Sequence, residues 1–121
     1  MNIIPAAALT LQEALSIYEA IMENHDDRDE DAAYLLDNLI RKSVYYANIR
    51  AEWDLKSREQ KMEADSGRTI AHDALISAVN MIARYQKEEG SVWLARLGKD
   101  DRKRIGDFGC YIALFRSLQA R

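Results

Sequence analysis

Turn-forming residues are scarce: one proline and five glycines serve the whole 121-residue chain. Sheets need repeated turns, which draw on clusters of Gly, Pro, Asn and Asp, and no window alternates apolar and polar residues for long. Helices are therefore the expected element. Cysteine is nearly absent too. Cys110, between Gly109 and Tyr111, stands alone, which excludes a disulfide framework and a Cys-based metal site and fits a reducing, cytoplasmic compartment. No stretch approaches the roughly 20 apolar residues of a membrane span. Met1 to Leu9 carries no basic residue and no adequate apolar run, so it does not read as a signal peptide.

What is present is 48% hydrophobic and 31% charged residues, the balance of a soluble globular chain. The length fits one domain, residues 1–121, able to bury a core without staples. Charge is unevenly placed. Residues 1–40 hold nine acids and one base, net −8; residues 41–121 hold eleven acids and sixteen bases, net +5. Such a dipolar chain can associate with itself or with a charged face, although solvated helix surfaces explain the same pattern.

Thr10-Leu-Gln-Glu13 has the form of a capping box. Leu11, Ala14, Leu15, Tyr18, Ile21 and Met22 then mark an apolar stripe to about Asn24. After the polar break His25–Arg28, the acids from Asp29 to Asp31 suit a second helix start. Ala32, Leu35, Leu36, Leu39, Ile40, Val44 and Ala47 keep its period. From Asp54 to Lys61 only Leu55 is apolar, so the stretch is either a long solvated helix end or a turn; Ser57-Arg-Glu-Gln60 favours a turn near residues 54–57, with Asp65-Ser66-Gly67 as an alternative start for the third helix. Ile70, Ala74, Leu75, Ala78, Val79, Met81, Ile82 and Tyr85 carry that helix through Glu89, with Gly90 as its stop. Ser91 opens a short segment, Val92 to Leu97, closed by Gly98. Asp100 or Asp101 opens the final helix, to about Leu118.

That last helix is apolar over more than half its circumference, through Ile105, Phe108, Tyr111, Ile112, Leu114, Phe115 and Leu118. Gly106, Gly109, Ala113 and Ser117 form a second, small-residue face. A helix apolar nearly all round is buried centrally or forms a dimer seam. Asp107 falls on the apolar face, where one Arg or Tyr partner is its ordinary explanation.

Few residues invite chemistry. His72-Asp73 with a distant His25 is a fragment of the metal pattern of the HD phosphohydrolases, but His25 falls in an expected loop. Asp27, Asp29 and Asp31 copy the start of a calcium loop, whose required Gly and final Glu are here Ala32 and Asn38. Lys99, Arg102, Lys103 and Arg104 are basic, yet acids interleave and the final helix is too apolar for a nucleic-acid groove, so nucleic acid is not the expected partner. Trp53, Tyr34, Tyr45 and Tyr46 are contact candidates. Arg68, His72, Asp73, Asn80 and Arg84 either face water or rim a polar groove that binds an anion through Arg68, His72 and Arg84.

Arg68-Thr-Ile-Ala-His-Asp-Ala-Leu-Ile-Ser-Ala-Val-Asn80-Met-Ile-Ala-Arg84, followed by Asp101-Arg-Lys-Arg-Ile-Gly-Asp-Phe, resembles a small family of short helical proteins of Gram-positive bacteria, grouped as a domain of unknown function. The resemblance covers the C-terminal half. It implies a compact helical bundle, supplies no activity or cofactor, and singles out Arg68, His72, Asp73, Asn80, Arg84 and Asp107.

The expected protein is an all-α compact bundle of four main helices plus one short helix, with the C-terminal helix central. Its expected role is a non-enzymatic binding or interaction module, homodimeric through the C-terminal helix, with no cofactor, metal or membrane. The alternative is a small enzyme or anionic-ligand-binding protein using a polar groove around His72.

Overall fold

The computed structural model describes residues 8–99 and 101–119. The reading of Met1 to Ala7 and the Asp100 alternative lie outside them. Five helices make up the described chain: α1 (Leu11–Glu23), α2 (Glu30–Trp53), α3 (Arg58–Tyr85), α4 (Lys87–Leu97) and α5 (Arg102–Gln119). Among the described residues there is no strand, and no helix is long and apolar enough to cross a membrane.

Local chemistry sets most of the boundaries. Thr10 Oγ1 accepts from the Glu13 N–H, and Glu13 Oε1 accepts from the Thr10 N–H, both at 3.1 Å. Ser57 and Gln60 repeat the device at the start of α3, so the chain turns between Asp54 and Ser57. Asp29 caps α2 by accepting from the Asp31 N–H at 2.9 Å. Asp101 does the same for α5 by accepting from the Arg104 N–H at 3.0 Å. Gly98, at φ 97°, closes α4 in the left-handed region that glycine tolerates.

The α3–α4 junction departs from the expectation. α3 ends at Tyr85, α4 starts at Lys87, and both Gly90 and Ser91 lie inside α4. Gly90 packs so tightly that a Cβ there would sit 2.0 Å from the Ala83 carbonyl oxygen. Its lack of a side chain serves a close crossing, not a helix stop. Lys87 takes the break instead, at φ 56°. Buried Gln86 holds the corner, donating to the Ile21 carbonyl at 3.0 Å and accepting from Trp93 Nε1 at 2.8 Å.

One hydrophobic core draws on all five helices and on Leu9, with Ile17, Ile21, Leu39, Leu75, Ile82, Trp93, Leu97, Ile105, Phe108 and Ile112 fully enclosed. The buried face of α1 is Ala14, Ile17, Tyr18 and Ile21, while Leu11, Leu15 and Met22 are exposed. Ile70 and Met81 on α3 and Val44 on α2 are likewise exposed. α2 packs chiefly against α3 and α5, and α5 also against α1 and α3. Gly106 and Gly109 meet Tyr46, His72 and Leu75 of the same chain. The glycines of the small-residue face of α5 therefore close onto α2 and α3, while Ser117, farther along that face, is exposed.

Candidate functional site

Helical spacing brings Tyr46, Arg50 and Trp53 onto one side of the C-terminal half of α2, four and three residues apart. Arg68, Thr69 and His72 share the facing side of α3. Arg102 and Lys103 come from the first turn of α5, and Asp54 from the α2–α3 turn. Together these nine side chains line a cavity of about 440 Å3. Gly106 lets α5 approach closely enough to close it: a Cβ there would lie 3.0 Å from Tyr46 Oη and 3.3 Å from His72 Nε2.

His72, Arg102, Arg68 and Arg50 are each held by a defined contact. The His72 ring stacks on Tyr46, centroids 4.8 Å apart and planes at 29°. His72 Nε2 lies 2.7 Å from the Arg102 carbonyl oxygen. A carbonyl only accepts, so Nε2 carries the proton and Nδ1 is the free acceptor of the neutral ring. Burial pushes the imidazole below its ordinary value, opposed by the Arg102 carbonyl bond. Arg102 is fixed in turn by Asp73 at 2.7 Å. The Arg68 guanidinium rests 4.2 Å from the Trp53 ring centroid, a cation–π contact, and stands 3.6 Å from Asp65. Arg68 Nε is buried and has no hydrogen-bond partner among the described residues. Behind the cavity, Arg50 pairs with buried Asp107 at 2.8 Å, and Asp107 also accepts from the Leu9 N–H at 3.2 Å.

The residues singled out in the sequence thus separate. Arg68 and His72 line this cavity, and Asp73 anchors Arg102 at its edge. Asp107 lies behind it as the partner of Arg50. Asn80 and Arg84 sit farther along α3 and line a different cavity, with Lys87 and Lys99, so the single groove of Arg68, His72, Asp73, Asn80 and Arg84 is divided in two. The basic cluster divides as well. Arg102 and Lys103 line the first cavity, and Lys99 lines the second. Arg104 turns inward onto the carbonyls of Ala8, Arg96 and Leu97. Arg50 escaped the sequence reading, although its position between Tyr46 and Trp53 on one helical face was a usable signal.

His25 lies in the α1–α2 turn, 3.3 Å from Asp27. Among the described residues no group of three or more His, Cys, Asp or Glu side chains is placed to hold a metal ion. No protein family, curated protein or solved structure matches the chain.

Proposed function

We propose that this protein is a non-enzymatic binding module that takes a small anionic ligand into the α2–α3–α5 cavity. The observation that carries this reading is the convergence of Arg50, Arg68, Arg102 and Lys103 with His72 around one cavity whose lining, among the described residues, holds a single carboxylate, Asp54. The volume suits a small ligand. Lys103 supplies an exposed ammonium, and Arg102 is pre-positioned by Asp73. The unbonded Nε of Arg68 adds a donor whose burial costs about 1–3 kcal/mol, a cost removed if Arg68 turns from Trp53 onto a ligand oxygen. Binding is favoured over catalysis because, among the described lining residues, Asp54 is the one carboxylate and His72 the one imidazole, and His72 Nε2 is already committed to the Arg102 carbonyl.

The test is thermal unfolding with inorganic phosphate, pyrophosphate and nucleoside monophosphates, for the wild type beside Arg68→Ala and His72→Ala. A ligand at 100 times its Kd stabilises by about 2.7 kcal/mol, a rise in Tm of several degrees. The expected result is a rise in the wild type that both variants lose. A flat wild-type response, or a rise the variants retain, removes the proposal.

Self-association is a second reading, favoured by Leu114 and Leu118, 45% and 52% exposed on α5. It takes α5 as the central helix and α4, the 11-residue element, as the short fifth helix. A cytoplasmic location belongs to the same reading, through the free thiol of Cys110.

A further inference from the structure

The second cavity, where α3 meets α4, has a different chemistry. It encloses about 500 Å3 and is lined by Asn80, Ala83, Arg84, Lys87, Ser91, Leu94, Ala95 and Lys99. Three of these side chains are cationic and, among the described residues, none is acidic. Among the described residues, none of Arg84, Lys87 and Lys99 has an ion-pair partner, unlike Arg50 and Arg102 in the first cavity. Among the described residues no ion pair offsets the charge there. Between the cations the wall is apolar, with Ala83 and Leu94 buried beneath it. Ser91 and Asn80 add a hydroxyl and an amide, the Asn80 amide nitrogen already donating to the Ile76 carbonyl at 2.9 Å.

We infer that this cavity is a separate binding site for a small organic anion, its phosphate or carboxylate head held by Arg84, Lys87 and Lys99 and its apolar part laid on Ala83, Leu94 and Ala95. Like charges around one concavity raise one another's energy, and an anion relieves that repulsion most where walls of low dielectric focus the field. An inorganic anion uses the cations but leaves the apolar wall wet. An alkyl anion covers both, so the site discriminates by the alkyl group. This inference is independent of the α2–α3–α5 cavity and stands or falls without it.

The chain has two tryptophans, and they report on the two cavities separately. Trp53 lines the first. Trp93 lies next to Leu94 on α4, with its indole N–H on Gln86 at the junction. Butyl phosphate is titrated into 15N-labelled protein, and the two indole N–H signals are followed beside the Ser91 and Lys99 amides. The expected result is saturable movement of Trp93, Ser91 and Lys99, with inorganic phosphate binding more weakly. The double variant Arg84→Gln/Lys99→Gln raises Kd at least about tenfold, the loss expected for a charge-assisted bond. Arg68→Gln/Lys103→Gln leaves these signals moving as in the wild type. Both substituted positions of the first variant are exposed, and Lys87→Gln provides a second variant with the same expected direction. Movement confined to Trp53, movement that persists in Arg84→Gln/Lys99→Gln, or equal affinity for inorganic phosphate overturns the inference.

Discussion

Arg104 shows how much one side chain can join. Its guanidinium donates to the Ala8 carbonyl at 2.6 Å, the Leu97 carbonyl at 2.7 Å and the Arg96 carbonyl at 3.0 Å, and it meets Glu13 at 3.3 Å. It thereby closes the C-terminal carbonyls of α4 and ties them to the segment before α1. Arg104→Ala is expected to destabilise by about 2–3 kcal/mol in urea unfolding, with Arg104→Lys rescuing little because an ammonium lacks the planar fork. His72 sets a pH dependence. Its folded value is depressed by burial, so the unfolded chain takes up the proton first as pH falls. Its contribution is complete above about pH 6.5 and declines as pH drops toward the folded value. Urea midpoints at pH 7.5 and 5.5 are expected to differ less in His72→Gln than in the wild type. Glu13 and Asp29, held low by hydrogen bonds from Thr10 and Tyr85 respectively, act only at lower pH.

Among the elements, α4 depends most on its surroundings. Its N-terminus has no side-chain cap, Lys87 enters it with positive φ, and Gly90 crosses Ala83 with no room for a Cβ. Gly90→Ala gains about 1 kcal/mol of helix propensity but forces backbone apart. The net expectation is destabilisation by more than about 2 kcal/mol, measured by thermal or urea unfolding. A milder outcome is expected at Gly109, where a Cβ would press on the end of the Leu75 side chain at 2.6 Å. At α3 the box at Ser57–Gln60 competed with a second candidate start at Asp65-Ser66-Gly67, whereas the capped start of α1 was legible because a capping box is written within four residues. The Gly90 role was not, since a glycine at a helix stop and a glycine at a close crossing look alike until the partner, Ala83, is in place. On α1, the apolar residues Leu11, Leu15, Ile17, Tyr18, Ile21 and Met22 spread over more of the circumference than the core covers. Packing decided that Ile17 goes in and Leu11 stays out.

For the molecule as a whole, exposed apolar groups and charge asymmetry bear on assembly. Leu114 and Leu118 are exposed on α5, and the excess of acids in residues 1–40 opposes the excess of bases beyond them. Light scattering at micromolar concentration is expected to return a dimer that Leu114→Glu/Leu118→Glu converts to a monomer. A wild-type monomer removes the self-association reading. Ligand binding in either cavity does not depend on that result, because each is lined from within one chain.

The sequence by itself left the start of α3 open between Ser57 and Asp65-Ser66-Gly67, which the structure places at Ser57, but it determined that the chain is helical, that a helix begins after Thr10 and that Gly98 ends a helix. Those features depend on residues a few positions apart, so local hydrogen bonding and periodicity contain them. Only the tertiary structure decided that Arg68 and His72 share a cavity with Arg50, Trp53 and Lys103, that Asn80 and Arg84 belong to another, and that Asp107 is bonded to Arg50 and Leu9. Those groups lie far apart in the chain, and their meeting depends on how deeply α5 seats against α2 and α3. That depth is set by Gly106 and Gly109 against Tyr46, His72 and Leu75, a contact that no local pattern encodes.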